Sequence, residues 1–482
     1  MAKRSQGQET DPAVESAALS TEDILGHLVE FVPDKQFFFF ALVSRSWKAV
    51  WAPRLPRTSY VSPDSSISQL RCSFEGGLPP AATICASLAR FGKLRCLQYA
   101  RANGCPRHML VCPAVARGGH LDVLQWARLD GCSWNEQTCG AAAEGGHLGV
   151  LQWARQGGCS WDGETFGKAA ENGHLDVRQG ARSMGCPWNS WTCSGAAAGG
   201  HLATLQWARW NGCPWNRKTC SEAAGGAHLA ILQWARQNGG PWDERTCSAA
   251  AGGGFLAVLQ WARQNGCRWD ERTCSNAARG GHFELLQWAR LAGCRWDDST
   301  CTEAARNGHL VIVQWARQNG CPWNEEACAA AAGGGHSTVM QWARQNGCPW
   351  DQNTCREAAR GGHLSILQWA RENSCAWDEV TCSAAALEGH LVVLQWARQY
   401  GCPCDKYACA MAAARGHLGV LQWAREDGCP WDESTCMYAA GEGHLAVLQW
   451  ARQNGCPWDR RACMNKAAFR GHPHVATWIR NI

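Results

Sequence analysis

A histidine returns every 27 residues through most of this chain, and no other feature restricts its fold so tightly. His120, His147, His174, His201 and His228 keep the step, and it resumes from His282 through His309, His336, His363, His390, His417 and His444. Phe255 fills the one missing place, Lys93 stands one step before His120, and the last unit centres on His472 after a one-residue insertion. A fixed period of this length means about fifteen copies of one supersecondary unit stacked along an axis. The chain length of 482 residues therefore counts repeats rather than separate globular domains.

One unit, HLAVLQWARQNGCPWDRRAC from His444, shows what each copy builds. Leu445, Val447, Leu448, Trp450 and Ala451 fall on one side of a helix of about eleven residues, and Ala446, Gln449 and Gln453 on the other. Gly455 stands where a left-handed C-cap is wanted, and Pro457 prevents continuation. Asp459 suits an N-cap, as do Asp432 and Asn216 in other units, opening a second, alanine-rich helix such as ESTCMYAAGEG. A helix hairpin of this kind cannot bury its own apolar side, whereas a stack of them can. The expected fold is all-α, a solenoid of about fifteen stacked hairpins.

The words GHLAVLQWARQNGCPWD and TCSNAARGGH, the latter from Thr273, resemble the two halves of an ankyrin repeat. The resemblance covers about 400 residues of the chain, and it departs in one consistent way: the next helix starts directly after Asp or Asn, with no room for the projecting β-hairpin. It implies short, hairpin-less ankyrin-like repeats.

The chemical-looking residues recur with the repeat. Cysteines fall in pairs seven apart, such as Cys267 with Cys274 and Cys429 with Cys436. Zinc fingers use tighter spacing and four converging ligands. The preferred role is packing as a small hydrophobe, with metal binding and redox sensing as alternatives. Equivalent cysteines of neighbouring units, set apart by the ~8 to 10 Å of packed helices, lie beyond disulfide reach. Two tryptophan columns, one including Trp126, Trp288 and Trp450 and the other Trp134, Trp296 and Trp458, are expected to pack between units. Gly180 and Cys404 each interrupt a column and predict weak seams. The arginine column, Arg128 to Arg452, is expected to reach C-terminal carbonyls or an adjoining N-cap Asp, and the histidine to bond within its turn. Stacking on a single nucleic-acid strand is the competing use of the arginines and tryptophans.

Lys and Arg total 46 against 41 Asp and Glu, a balance too even to announce a polyanionic partner and one that weighs against nucleic acid. The start of the sequence has no signal-peptide core and the apolar run FFFFALV is far too short to span a bilayer, so no membrane partner is expected and an intracellular setting, cytoplasm or nucleus, with free thiols is. No phosphate loop, nucleophile elbow or isolated carboxylate pair is present in the sequence. No catalytic residue, metal or cofactor is expected. Specificity is expected at positions that differ between copies: Asp122, Glu284 and Thr338 on one helix, and Trp191, Lys218 and Arg245 at the start of the other.

The first fifty residues copy nothing else. Residues 1–18 read as a flexible tail, 19–52 as a helical segment, 53–80 as a connector and 81–482 as the array. In STEDILGHLVEFVPDKQFFFFALVSRSWKAVW, the residues Ile24, Leu25, Leu28 and Val32 form an apolar face ending at Pro33, and Leu42, Val43 and Trp47 follow. The segment resembles an F-box, with Pro33 and Trp47 at that family's separation. The resemblance implies docking on a Skp-type adaptor of a cullin-RING ubiquitin ligase, with the repeats holding a protein substrate. A helical cap on the array, with no ligase link, is the alternative reading, leaving the repeats a binding scaffold.

Overall fold

A computed structural model of the protein describes residues 66–75 and 82–482. The tail and the F-box-like segment, with Ile24, Leu25, Leu28, Val32, Pro33, Leu42, Val43 and Trp47, lie outside the described residues. The described residues form 31 helices and no strand, as expected of an all-helical repeat solenoid. Two compact units divide the chain at Ala196 and Ala197, inside the array.

Each repeat is a pair of nine-residue helices in nearly every copy. Leu445–Gln453 carries the LQWAR motif and buries Val447, Leu448 and Ala451. It is shorter than the eleven residues expected, because His444 has left helical geometry at φ −84°, ψ 72° and stands as the N-cap. The preceding partner, Glu433–Gly441, buries Thr435, Cys436, Ala439 and Ala440, and is here called the cysteine helix. Its N-cap Asp432 accepts a 3.0 Å hydrogen bond from the Ser434 amide. Asn216 accepts from Lys218 in the same way, and Asp459 from Ala462. An N-cap of this kind satisfies one of the amides that a helix start leaves orphaned.

Both helices end alike. Gly455 adopts φ 81°, and the next amide, that of Cys456, returns to the Ala451 carbonyl at 2.9 Å. Gly443 adopts φ 83°, and the His444 amide returns to Ala439 at 2.8 Å. These six-to-one closures are Schellman motifs, which place a left-handed residue at the first position past the helix. The words Gly-Cys and Gly-His are thus the two stop signals of most repeats.

Alanine and glycine let the cysteine helices approach one another closely. Asn276 Nδ2 reaches across to the Ser248 carbonyl at 3.1 Å, and a Cβ added at Gly195 would stand 2.7 Å from the Gly167 carbonyl. The LQWAR helices lie farther apart, with aromatic rings between them. A helix at Ile67–Glu75 stands inside the stretch read as a connector. Its Leu70 is 1% exposed and its Phe74 ring stacks on Tyr99 at 6.3 Å, which covers the apolar side of the first repeat. Among the described residues no helix is long and apolar enough to cross a membrane.

Candidate binding edge

The histidine, arginine, tryptophan and cysteine columns are all engaged in packing. Histidine rings reach the preceding repeat: His147 Nε2 donates to the Arg117 carbonyl at 3.1 Å and His282 to Gly252 at 3.1 Å. A carbonyl can only accept, so the proton sits on Nε2. The same ring covers the left-handed glycine at the end of the previous cysteine helix, and a Cβ on Gly119 would stand 2.5 Å from the His147 ring. Histidine here caps a helix C-terminus and leaves no room for anything larger than glycine beneath it.

Each arginine is held within its own repeat. Arg290 Nη1 donates to the Cys294 carbonyl, while its guanidinium carbon lies 4.0 Å from the Trp296 ring centroid. Arg263 over Trp269 and Arg128 over Trp134 repeat the arrangement. One guanidinium thus closes a carbonyl that the helix end leaves open and stacks on an indole face, a contact of ~0.5 to 1 kcal/mol at partly exposed sites. The tryptophan columns meet across the seam: Trp269 packs edge-on against Trp288 at 5.9 Å and Trp296 against Trp315 at 5.6 Å. Trp161 faces Gly180 in this register, and the Leu148 side chain occupies the space a larger residue there would need.

The cysteine columns are buried. Among the described cysteines all but two are free thiols, and Cys404 is joined to Cys429 across neighbouring repeats with Cα atoms 5.7 Å apart. A chain of free thiols was the expectation; the bond forms because Cys404 occupies a tryptophan place, from which it reaches the regular cysteine of the following repeat. Among the described residues no three His, Cys, Asp or Glu side chains converge as metal ligands would.

What remains exposed and variable is the edge formed by the first turns of the cysteine helices. A cleft of about 500 Å³ lies between two successive turns, lined by Asn216, Arg217, Lys218, Asp243, Glu244 and Arg245. Of the sequence-predicted residues, Lys218 and Arg245 are therefore brought together. Trp191, 54% exposed, holds the matching place in another repeat of the first unit. Asp122, Glu284 and Thr338 are exposed but belong to the first turns of LQWAR helices, away from this cleft. Sequence reasoning missed Arg217, Arg268, Arg272 and Arg295, all exposed on the same edge or just before it.

The charges of this edge are unequal in availability. Asp243 and Asp297 are turned onto backbone amides as N-caps, accepting from Arg245 at 3.1 Å and Ser299 at 3.2 Å. Asp243 also lies 3.6 Å from Arg217. Burial, reinforced by Glu271, pushes the Asp270 carboxyl above its usual range. The helix N-termini add partial positive charge along the same line.

The fold and edge define a helical-repeat protein. No family model and no curated protein sequence matches the chain. Among solved structures it is similar to the pentatricopeptide repeat protein PPR10 in complex with an 18-nt psaJ RNA element, at 14% identity and a TM-score of 0.33 over 95% of this chain and 78% of that one. A variant of that protein with three cysteine-to-serine substitutions, also bound to RNA, matches equally. A structure of the pentatricopeptide repeat protein PPR10 from maize matches at 15% identity and a TM-score of 0.27, over 95% of this chain and 89% of that one. At these values the likeness concerns the helical-repeat class alone.

These findings correct two expectations. The ligase adaptor holding a protein substrate is withdrawn: the matched solenoids are pentatricopeptide repeat proteins, and the F-box-like segment lies outside the described residues. The expectation against nucleic acid is withdrawn as well, since two of the matched solenoids were crystallised with RNA.

Proposed function

We propose that the chain is a non-catalytic binding protein whose cysteine-helix edge holds a single strand of nucleic acid. The observation that carries this is the edge itself: Arg217, Lys218 and Arg245 line one cleft with Asp243 and Glu244, and Arg268, Arg272 and Arg295 continue it; Asp243 and Asp297 are engaged as caps and Lys218 lies 3.6 Å from Glu222. Cations in four successive repeats, with a helix N-terminus in each, suit phosphates spaced along a strand. The first two residues of each cysteine helix vary from copy to copy on a constant scaffold, which is how a helical repeat reads one base with two or three side chains.

The internal columns support the reading by what they leave out. The guanidiniums and indoles suggested by the sequence are spent on packing, so binding rests on the edge and not on Arg290 or Trp296. The 27-residue unit is read as a hairpin-less ankyrin-like repeat, and buried free thiols accord with an intracellular location. Fluorescence anisotropy of labelled single-stranded RNA and DNA pools against the full chain tests the proposal. Binding that favours single strands over duplex and weakens steeply with salt is expected; no binding of any strand at low salt overturns it.

A further inference from the structure

Two seams of the array are built differently from the rest. The arginines of the LQWAR helices stack on the tryptophan six residues on, as Arg371 does on Trp377 at 4.1 Å and Arg425 on Trp431 at 4.3 Å. Arg107 and Cys404 stand in place of that tryptophan in two repeats. Twenty-three residues after each of them comes an aspartate, Asp130 and Asp427, in a column that holds no other aspartate. The arginine released from stacking turns to it across the seam: Arg101 Nε lies 2.9 Å from Asp130 Oδ2 and Arg398 Nε 2.6 Å from Asp427 Oδ2. An ion pair thus replaces the aromatic contact where the aromatic ring is missing. The second of these seams also carries the disulfide of Cys404 with Cys429. Cys404 precedes the helix Lys406–Ala414 and Cys429 follows the helix Leu418–Glu426, so the bond ties the connections of successive repeats. Lys406 and Asp432, 2.8 Å apart, form a second ion pair beside it. Cys404 is half-buried and Cys429 buried, while all other described cysteines are buried free thiols.

We propose that this seam is a redox-controlled hinge, clamped by the disulfide and released by a low-molecular-weight thiol onto its ion pairs alone. The thiolate of the small thiol attacks the sulfur of Cys404, the more exposed cysteine of the two. The S–S bond breaks, and Cys429 leaves as a thiolate that takes up the proton the small thiol gave up. A second small thiol attacks the small-thiol sulfur of the mixed disulfide, and Cys404 departs as a thiol. The protein gains two electrons and two protons, and the two small thiols become one disulfide. What remains at the seam is Arg398 with Asp427 and Lys406 with Asp432, partly exposed pairs that support little and that salt screens. In a solenoid each repeat touches only its neighbours, so one loosened seam lets the repeats on its two sides open independently. The tryptophan seams, such as Trp323 with Trp342, contain no bond that a reductant breaks.

The test uses the full chain in two states, equilibrated with oxidised glutathione or with dithiothreitol, and reads amide hydrogen exchange by mass spectrometry. Reduction is expected to speed exchange at least about tenfold in Leu391–Gln399, Lys406–Ala414 and Leu418–Glu426, and raising the salt should speed it further. The helices around Trp323 and Trp342 should exchange alike in both states. Cys404→Trp, which restores the column, is expected to exchange as slowly as the oxidised chain whether or not reductant is present. Cys404→Ser should exchange as fast as the reduced chain under both conditions. A non-reduced peptide map of the oxidised chain in which Cys404 and Cys429 are unlinked, or equal exchange at the seam in the two states of the unaltered chain, would each overturn the proposal.

Discussion

Ala227 and Phe255 stand 28 residues apart and replace the glycine and the histidine that occupy these two places in the repeats on either side. Ala227 holds the left-handed conformation of that glycine, with φ 63°. Elsewhere a Cβ at this place would press into the histidine ring 28 residues on, at 2.6 Å in the case of Gly254 and His282. The exception in the glycine column coincides with the one interruption inside the histidine series: with a methyl at 227, the imidazole cannot reach its carbonyl, and a ring that needs no hydrogen bond takes its place.

The pair should therefore be coupled. Ala227→Gly alone is expected to stabilise by about 1 kcal/mol through relief of left-handed strain. Phe255→His alone should cost about 1 to 2 kcal/mol, and the double variant should regain most of that loss. A double-mutant cycle from urea unfolding reads the coupling, and simple additivity would refute it.

Arg290→Ala should loosen one seam by about 1 to 2 kcal/mol, because it uncovers the Cys294 carbonyl and the Trp296 face together. Arg290→Lys should recover little, since an ammonium has no plane to stack. Amide exchange in the repeat spanning these residues is the readout, and a lysine variant as protected as the native chain would contradict the stacked geometry.

Much of this was legible because the repeat prints its own rules fifteen times over. Helix stops at Gly443 and Gly455, caps at Asp432 and Asn216, the seam role of Trp296 and the carbonyl role of Arg290 all follow from local chemistry that each copy satisfies alone. Contacts that skip between copies were harder to read. The reach of His147 to Arg117 depends on stacking register, which a single unit does not contain. The disulfide at Cys404 was hidden for the same reason, since a cysteine in a tryptophan place finds its partner only once the next repeat is laid against it. At the edge, Lys218 and Arg245 were visible as variable positions. Arg217 was not singled out, because its neighbour across the cleft belongs to another copy.

Near the disulfide, Lys406 Nζ lies 2.8 Å from Asp432 Oδ2. Burial acts to raise the Asp432 carboxyl, but hydrogen bonds from Lys406 and Ser434 outweigh it and hold the group below its usual range. A carboxyl depressed in the folded state contributes stability at pH above its unfolded value of about 4, and loses that contribution as pH falls through the folded value. The stability difference between the native chain and Asp432→Asn should thus be full near neutrality and shrink in acid. A difference that stays constant from about pH 6 to pH 2 would contradict the assignment.

The central claim is that the first turns of the cysteine helices, and not the arginine column, hold a single strand. Anisotropy titrations of one labelled single-stranded RNA over a salt series should compare the native chain, Lys218→Glu with Arg245→Glu, and Arg290→Ala. The paired edge variant should bind at least about tenfold more weakly, with a salt slope shallower by about 1.4, the loss of two phosphate contacts on a single strand; Arg290→Ala should bind like the native chain. Unchanged affinity in the edge variant, or a loss confined to Arg290→Ala, would contradict the account.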